Sequence, residues 1–138
     1  MYPAEIVMPM KEELTEVGFE NLDSAEKVEE FLSRKGSALI IVNSVCGCAA
    51  ANARPAAITS LEGTDKPDHV GTVFAGFDTE ATVKAREFMV PFPPSSPSIA
   101  LFHDGEVVHM LERHHIEGRP AQMIADNLKD AYAEVKKM

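Results

Sequence analysis

Apolar residues change their spacing several times along this chain, and each change marks an element. Ala25, Val28, Phe31 and Leu32 share one face of a helix that Asp23 or Ser24 can cap and Gly36 can end. Ser37 to Asn43 is then continuous, β-branched and too short for a helix, so it reads as a buried strand. The alanine-rich stretch from Cys46 to about Leu61 is helical by composition. Pro55 inside it removes the hydrogen bond to the Ala51 carbonyl and is expected to bend the helix. Val70 to Phe77 reads as a second strand, and Thr79 can cap a helix carrying Ala81, Ala85 and Phe88. Pro91-Phe92-Pro93-Pro94-Ser95-Ser96-Pro97 can be neither helix nor central strand. Ile99–Phe102 and Glu106–Leu111 pair as a hairpin across Asp104-Gly105. A last helix starts near Pro120 and buries Ile124, Leu128, Ala131 and Val135. Upstream of all these, Pro9 fits the first turn of a short helix running to about Val17, with Gly18 as its stop.

The order is helix, helix, strand, helix, strand, helix, hairpin, helix. Helical crossovers make the Ser37–Asn43 and Val70–Phe77 strands parallel, and the hairpin adds antiparallel strands. The expected fold is α/β: one domain over residues 1–138, a central mixed sheet with helices on both faces, and an N-terminal helical extension.

Charge narrows the partners. Thirteen basic and 22 acidic side chains leave a net charge of −9, with no basic stripe to hold a phosphate backbone, so nucleic acid is a poor partner. No segment approaches the roughly eighteen apolar residues of a membrane span. Met1-Tyr2-Pro3-Ala4-Glu5-Ile6-Val7 lacks the basic and apolar regions of a secretory signal, so a cytoplasmic location is the expectation.

The chemistry sits in two cysteines, Cys46 and Cys48, separated by Gly47, where a strand gives way to a helix. A helix start presents unpaired N–H groups and partial positive charge, which favour thiolate over thiol. In a reducing compartment such a pair reads as catalytic or metal-binding before it reads as a structural bridge. Lowering a thiol pKa from about 8.5 to about 7 raises the thiolate fraction at neutral pH from about 3% to about 50%. Because nucleophilicity falls in parallel, the attack rate gains only about threefold to fourfold. The thermodynamic effect is larger: about 2 kcal/mol of thiolate stabilisation makes the couple more oxidising by about 40–45 mV. A disulfide closed over one intervening residue is also strained and easily reduced, and Gly47 is best able to adopt the dihedrals that closure needs. Cys46–Cys48 is therefore expected to be a poor resting disulfide and a good transient one.

A cysteine pair at a helix start, Pro55 within that helix, and Ser96-Pro97-Ser98 leading into a strand together resemble the thioredoxin fold. That resemblance implies a cis-proline at Pro97, lying against the cysteines with backbone exposed for substrate; a plain loop proline is the alternative. Asn43-Ser44-Val45-Cys46-Gly47-Cys48-Ala49-Ala50, Ala53-Arg54-Pro55-Ala56, Pro94-Ser95-Ser96-Pro97-Ser98, Glu106-Val107-Val108-His109 and Ile116-Glu117-Gly118 are similar to the bacilliredoxins over nearly the whole chain. The resemblance implies a protein that removes a low-molecular-weight thiol, bacillithiol, from mixed disulfides on other proteins, or acts as a disulfide isomerase or reductase. Some members carry a further cysteine near the C-terminus, where this chain has Lys136-Lys137-Met138, so two thiols are expected to suffice.

Exchange chemistry then assigns Cys46 as the attacking thiolate and Cys48 as the resolving thiol. No cofactor is expected beyond the pair, with bacillithiol as co-substrate. Ser96, Asn43, Ser44 and Arg54 are weaker site candidates. Asn43 and Ser44 are placed to hydrogen-bond near the thiolate or to serve the turn, and Arg54 to be structural, solvated or in contact. Expected partners are proteins carrying mixed disulfides and the small thiol, with the chain a monomer or weak homodimer. Two rivals stand beside this reading. One is a zinc or copper(I) site made by the C-x-C pair with His114 or His115, although paired four-ligand spacings are missing. The other is an interaction domain with two inert cysteines.

Overall fold

A computed structural model describes residues 1–138. Five strands form one mixed sheet in the order β1-β3-β2-β4-β5: β1 (Glu20–Asn21), β2 (Ser37–Asn43), β3 (His69–Phe74), β4 (Ser98–His103) and β5 (Glu106–Leu111). The β2 strand lies parallel to β3 and antiparallel to β4. Every residue of β2 is buried. Its side chains alternate between two cores: Leu39 and Ile41 enter one, and Ala38, Ile40 and Val42 enter the other. Helices α3 (Arg54–Ser60) and α6 (Ala121–Val135) cover the first face, and α2 (Ala25–Leu32) and α4 (Thr79–Glu87) cover the second. This is the α/β architecture expected from the hydrophobic pattern.

Local chemistry explains most boundaries. Ser24 caps α2 by accepting from the Lys27 N–H at 3.2 Å. In the β4–β5 turn, Asp104 and Gly105 both have positive φ, 50° and 84°, as a two-residue hairpin requires.

Several elements depart from expectation. The first helix, α1 (Ala4–Thr15), begins one and a half turns before Pro9, which sits inside it on the exposed side. Its buried stripe is Val7, Lys11 and Leu14, and the lysine in that stripe concealed the helical spacing. β3 stops at Phe74, because the Asp78 carboxylate accepts the Phe74 N–H at 3.2 Å and turns the chain. Asp78, not Thr79, is therefore the residue that precedes α4. The Pro55 segment does not simply bend: a π-helical turn, Ala49–Ala53, runs straight into α3. The Arg54 N–H reaches back five residues to the Ala49 carbonyl, and this wider turn accommodates a proline with no N–H to offer. Finally, β1 and a four-residue helix, α5 (Arg113–Ile116), are too short to carry any periodicity. Ala131 is only half-buried in α6, and Tyr132 fills the core beside it.

Candidate active site

The site begins where β2 runs out. Asn43 is fully buried, and its side chain is wholly engaged by the scaffold. Its Oδ1 accepts from the Ser44 N–H at 2.9 Å and from Arg54 Nη1 at 2.9 Å, while its Nδ2 donates to the Met10 carbonyl at 3.2 Å. Ser44 Oγ accepts the Cys46 N–H at 3.2 Å. Both residues therefore hold the turn and neither bonds a sulfur, which is the second of the two roles their position allowed. Arg54 is buried at 2% exposure, which excludes the solvated alternative. Besides Asn43 it donates to the Ser44 carbonyl at 3.0 Å, and its Nε lies 3.1 Å from the Glu13 carboxylate of α1. An arginine about two turns past Cys46 thus locks the strand end that presents the cysteines.

Cys46 and Cys48 are both free thiols and half-buried. The Cys46 carbonyl accepts from the Ala49 and Ala50 N–H groups, so helical winding starts at the first cysteine. Ionised Cys46 is favoured chiefly by a hydrogen bond from the Cys48 thiol, then by the Cys48 backbone N–H, with Arg113 and the Ala49 N–H adding to these; its pKa is lowered. Burial and the proton given to Cys46 push the Cys48 pKa the other way. The pair thus separates into one sulfur that ionises first and one that keeps its proton. Gly47 is exposed, its φ lies outside the left-handed region, and no atom stands within 4 Å of where a Cβ would be. Nothing in the dithiol form requires glycine there.

The proline-rich loop closes the site. Ser98 pairs with Val42, so Pro97 stands level with Asn43 at the end of the sheet from which the cysteines emerge. Pro97 is buried, and the Ser96–Pro97 bond is cis, as is Val90–Pro91. Two arginines hold this loop. Arg86 Nη2 donates to the Ser95 carbonyl at 3.3 Å, and its Nε is buried without a partner; burial lowers its pKa. Arg113, the first residue of α5, donates from Nη1 to the Ser96 carbonyl at 3.2 Å and from its backbone N–H to Ser95 Oγ at 3.3 Å. Sequence reasoning missed both arginines. Arg86 reads as an ordinary basic residue in the last turn of α4, and Arg113 stood beside the more conspicuous His114 and His115.

Those histidines do not join the cysteines. His114 and His115 gather with Glu112, their ligand atoms within 4.8 Å of one another. His115 Nδ1 accepts the Glu112 N–H at 3.0 Å while the Glu112 carboxylate accepts the N–H of His115, so two of the three already form a reciprocal helix cap.

Known proteins place this geometry in context. A family described as disulphide isomerase matches residues 2–135. A bacilliredoxin of Cytophaga hutchinsonii is 56% identical over 135 residues, covering 98% of this chain and 100% of that one. A bacilliredoxin of Halalkalibacterium halodurans is 51% identical, covering 96% and 93%. Among solved structures, a mutant thioredoxin from Halobacterium salinarum superposes with a TM-score of 0.62 at 19% identity, over 88% of this chain and 94% of that one. The thioredoxin of Fasciola hepatica gives 0.59 at 15%, over 85% and 99%. The fold is thioredoxin-like, and no helix is long and apolar enough to cross a membrane.

Proposed function

The chain belongs to the bacilliredoxin family and is a thiol–disulfide oxidoreductase, and on that premise we propose that it removes a low-molecular-weight thiol, bacillithiol, from mixed disulfides on client proteins. Cys46 is the nucleophile of this reading and Cys48 the resolving thiol. The observation that carries it is the placement of the pair: helical winding begins at the Cys46 carbonyl at the end of β2, beside the strand that Pro97 leads into, with the Cys46 pKa lowered and that of Cys48 raised.

The Cys46 thiolate attacks the sulfur of the small thiol in the mixed disulfide. A bond forms between these two sulfurs, the bond to the client breaks, and the client sulfur leaves as a thiolate that takes a proton from solvent. Cys48, deprotonated in its turn, then attacks Cys46 and expels the small thiol. The two cysteines finish as a disulfide, oxidised by two electrons, which a thiol reductant in solution must reopen. Alternatively a second small thiol attacks the adduct, leaving as a symmetric disulfide and returning Cys46. Asn43, Ser44 and Arg54 position the turn, and Ser96 and Pro97 offer the facing backbone.

Mass spectrometry of Cys48→Ala after incubation with a bacillithiolated client tests the reading. One bacillithiol should appear on Cys46 while the client returns as a free thiol. A variant that stays unmodified before a client that stays blocked would overturn it. The family described as disulphide isomerase supports a second reading, reshuffling of protein disulfides without bacillithiol. That reading predicts reactivation of a scrambled disulfide protein by wild type.

A further inference from the structure

We infer that Arg113 is a specificity-determining residue, its guanidinium receiving a carboxylate on the small thiol presented to Cys46, so that anionic adducts are taken in preference to neutral ones. The inference deepens the exchange reading above and rests on it.

A guanidinium has five N–H donors, and the side chain of this one spends only two of them, from Nε and Nη1, on protein partners. Nε donates to Glu117 at 3.0 Å and Nη1 to the Ser96 carbonyl at 3.2 Å, whereas Nη2 has no protein acceptor. These two bonds fix the plane, and the side chain remains 46% exposed, so the unused donors are open to a ligand. The loop that Nη1 grips enters the sheet beside the strand end from which the cysteines emerge. Ser96 precedes the proline level with Asn43 at the strand end that presents the cysteines, so the cation held on its carbonyl stands at the same end of the sheet as both sulfurs, and its charge favours both thiolates. A carboxylate a few bonds from the attacked sulfur therefore meets a fixed, partly unsatisfied fork.

The rest of the molecule makes this position distinctive. A net charge of −9 repels anions at long range, so a local cation beside the sulfurs is needed for an anionic thiol to be favoured at all. Thiolate stabilisation alone does not account for Arg113. Its contribution to Cys46 ranks below those of the Cys48 thiol and backbone. Glu117, 3.0 Å from Nε, takes up part of the charge, which moderates the attraction.

One client peptide blocked with 3-mercaptopropionate, with 2-mercaptoethanol or with cysteamine supplies anionic, neutral and cationic adducts. Exchange rates with each, normalised to the rate with dithiothreitol, are measured for wild type, Arg113→Gln and Arg113→Lys. Iodoacetamide, which is uncharged, reports Cys46 reactivity separately. Wild type should favour the anionic adduct over the neutral one by about threefold to fivefold, the scale of an exposed ion pair. With each rate divided by the same variant's iodoacetamide rate at Cys46, Arg113→Gln should lose that preference and Arg113→Lys should keep part of it. Equal slowing of all three adducts in Arg113→Gln, or an undiminished preference, would overturn the inference. Wild type inert toward every adduct would instead overturn the exchange reading, and this inference with it.

Discussion

At the scale of single residues, the two sulfurs are made unequal by a proton that Cys48 offers and Cys46 accepts. Alkylation of Cys46 should therefore rise with pH to a plateau whose midpoint lies below the value near 8.5 of an ordinary thiol. The sign follows from the partner: removing the Cys48 donor withdraws the largest contribution that favours the thiolate. In Cys48→Ala the midpoint should move up, and in Cys48→Ser, which keeps a hydroxyl donor, it should stay nearer wild type. Iodoacetamide rates across pH check this, and superimposable profiles for wild type and Cys48→Ala would assign the lowered pKa to backbone and Arg113 instead. The cysteines were legible because C-x-C at a strand-to-helix junction is chemically unusual. Their division of roles was expected from the helix start, but the part that the Cys48 proton plays in it was not, since that depends on side-chain orientation within the turn.

At the scale of elements, the π-helical turn and the arginine that follows it hold the strand end in place. Arg54 joins α3 to the end of β2 through Asn43 and Ser44 and to α1 through Glu13. Replacing it by methionine leaves the Ser44 carbonyl and one Asn43 interaction without their donor. A loss of about 2–3 kcal/mol in urea unfolding is expected, with slower exchange at Cys46. Lysine should not restore either property, because a single ammonium cannot span the donor positions of the fork. The bend expected at Pro55 and the turn observed have one cause, a missing N–H. Packing of Ala53, Ala56 and Ala57 into the core selects which accommodation is used. Longer elements were readable from their periodicity, whereas β1 and α5 consist of too few residues to have one.

At the scale of the whole molecule, α1 belongs to the same fabric as the site. Val7 and Leu14 are fully buried, and Lys11 between them pairs with Asp78 at 2.8 Å, donates to Asn21 at 3.1 Å and lies 5.1 Å from the Phe77 ring centre. Breaking one side of a buried pair strands the other charge, so Lys11→Met should cost about 3–5 kcal/mol of stability. Lys11→Met with Asp78→Asn, which keeps an acceptor for the Phe74 N–H, should recover much of that in the same urea titration. Equal losses in the single and double variants would show that Asp78 is not the partner that matters.

Sequence by itself determined the order of the main elements, the doubly buried strand, the mixed sheet and the cysteine pair, because period, β-branching and turn residues act over a few neighbours. Tertiary structure alone decided what the charges do. Lys11, Arg54, Arg86 and Arg113 look like surface cations in a string of letters. Their meaning comes from carboxylates, carbonyls and sulfurs brought to them by distant segments, in surroundings where burial magnifies every interaction.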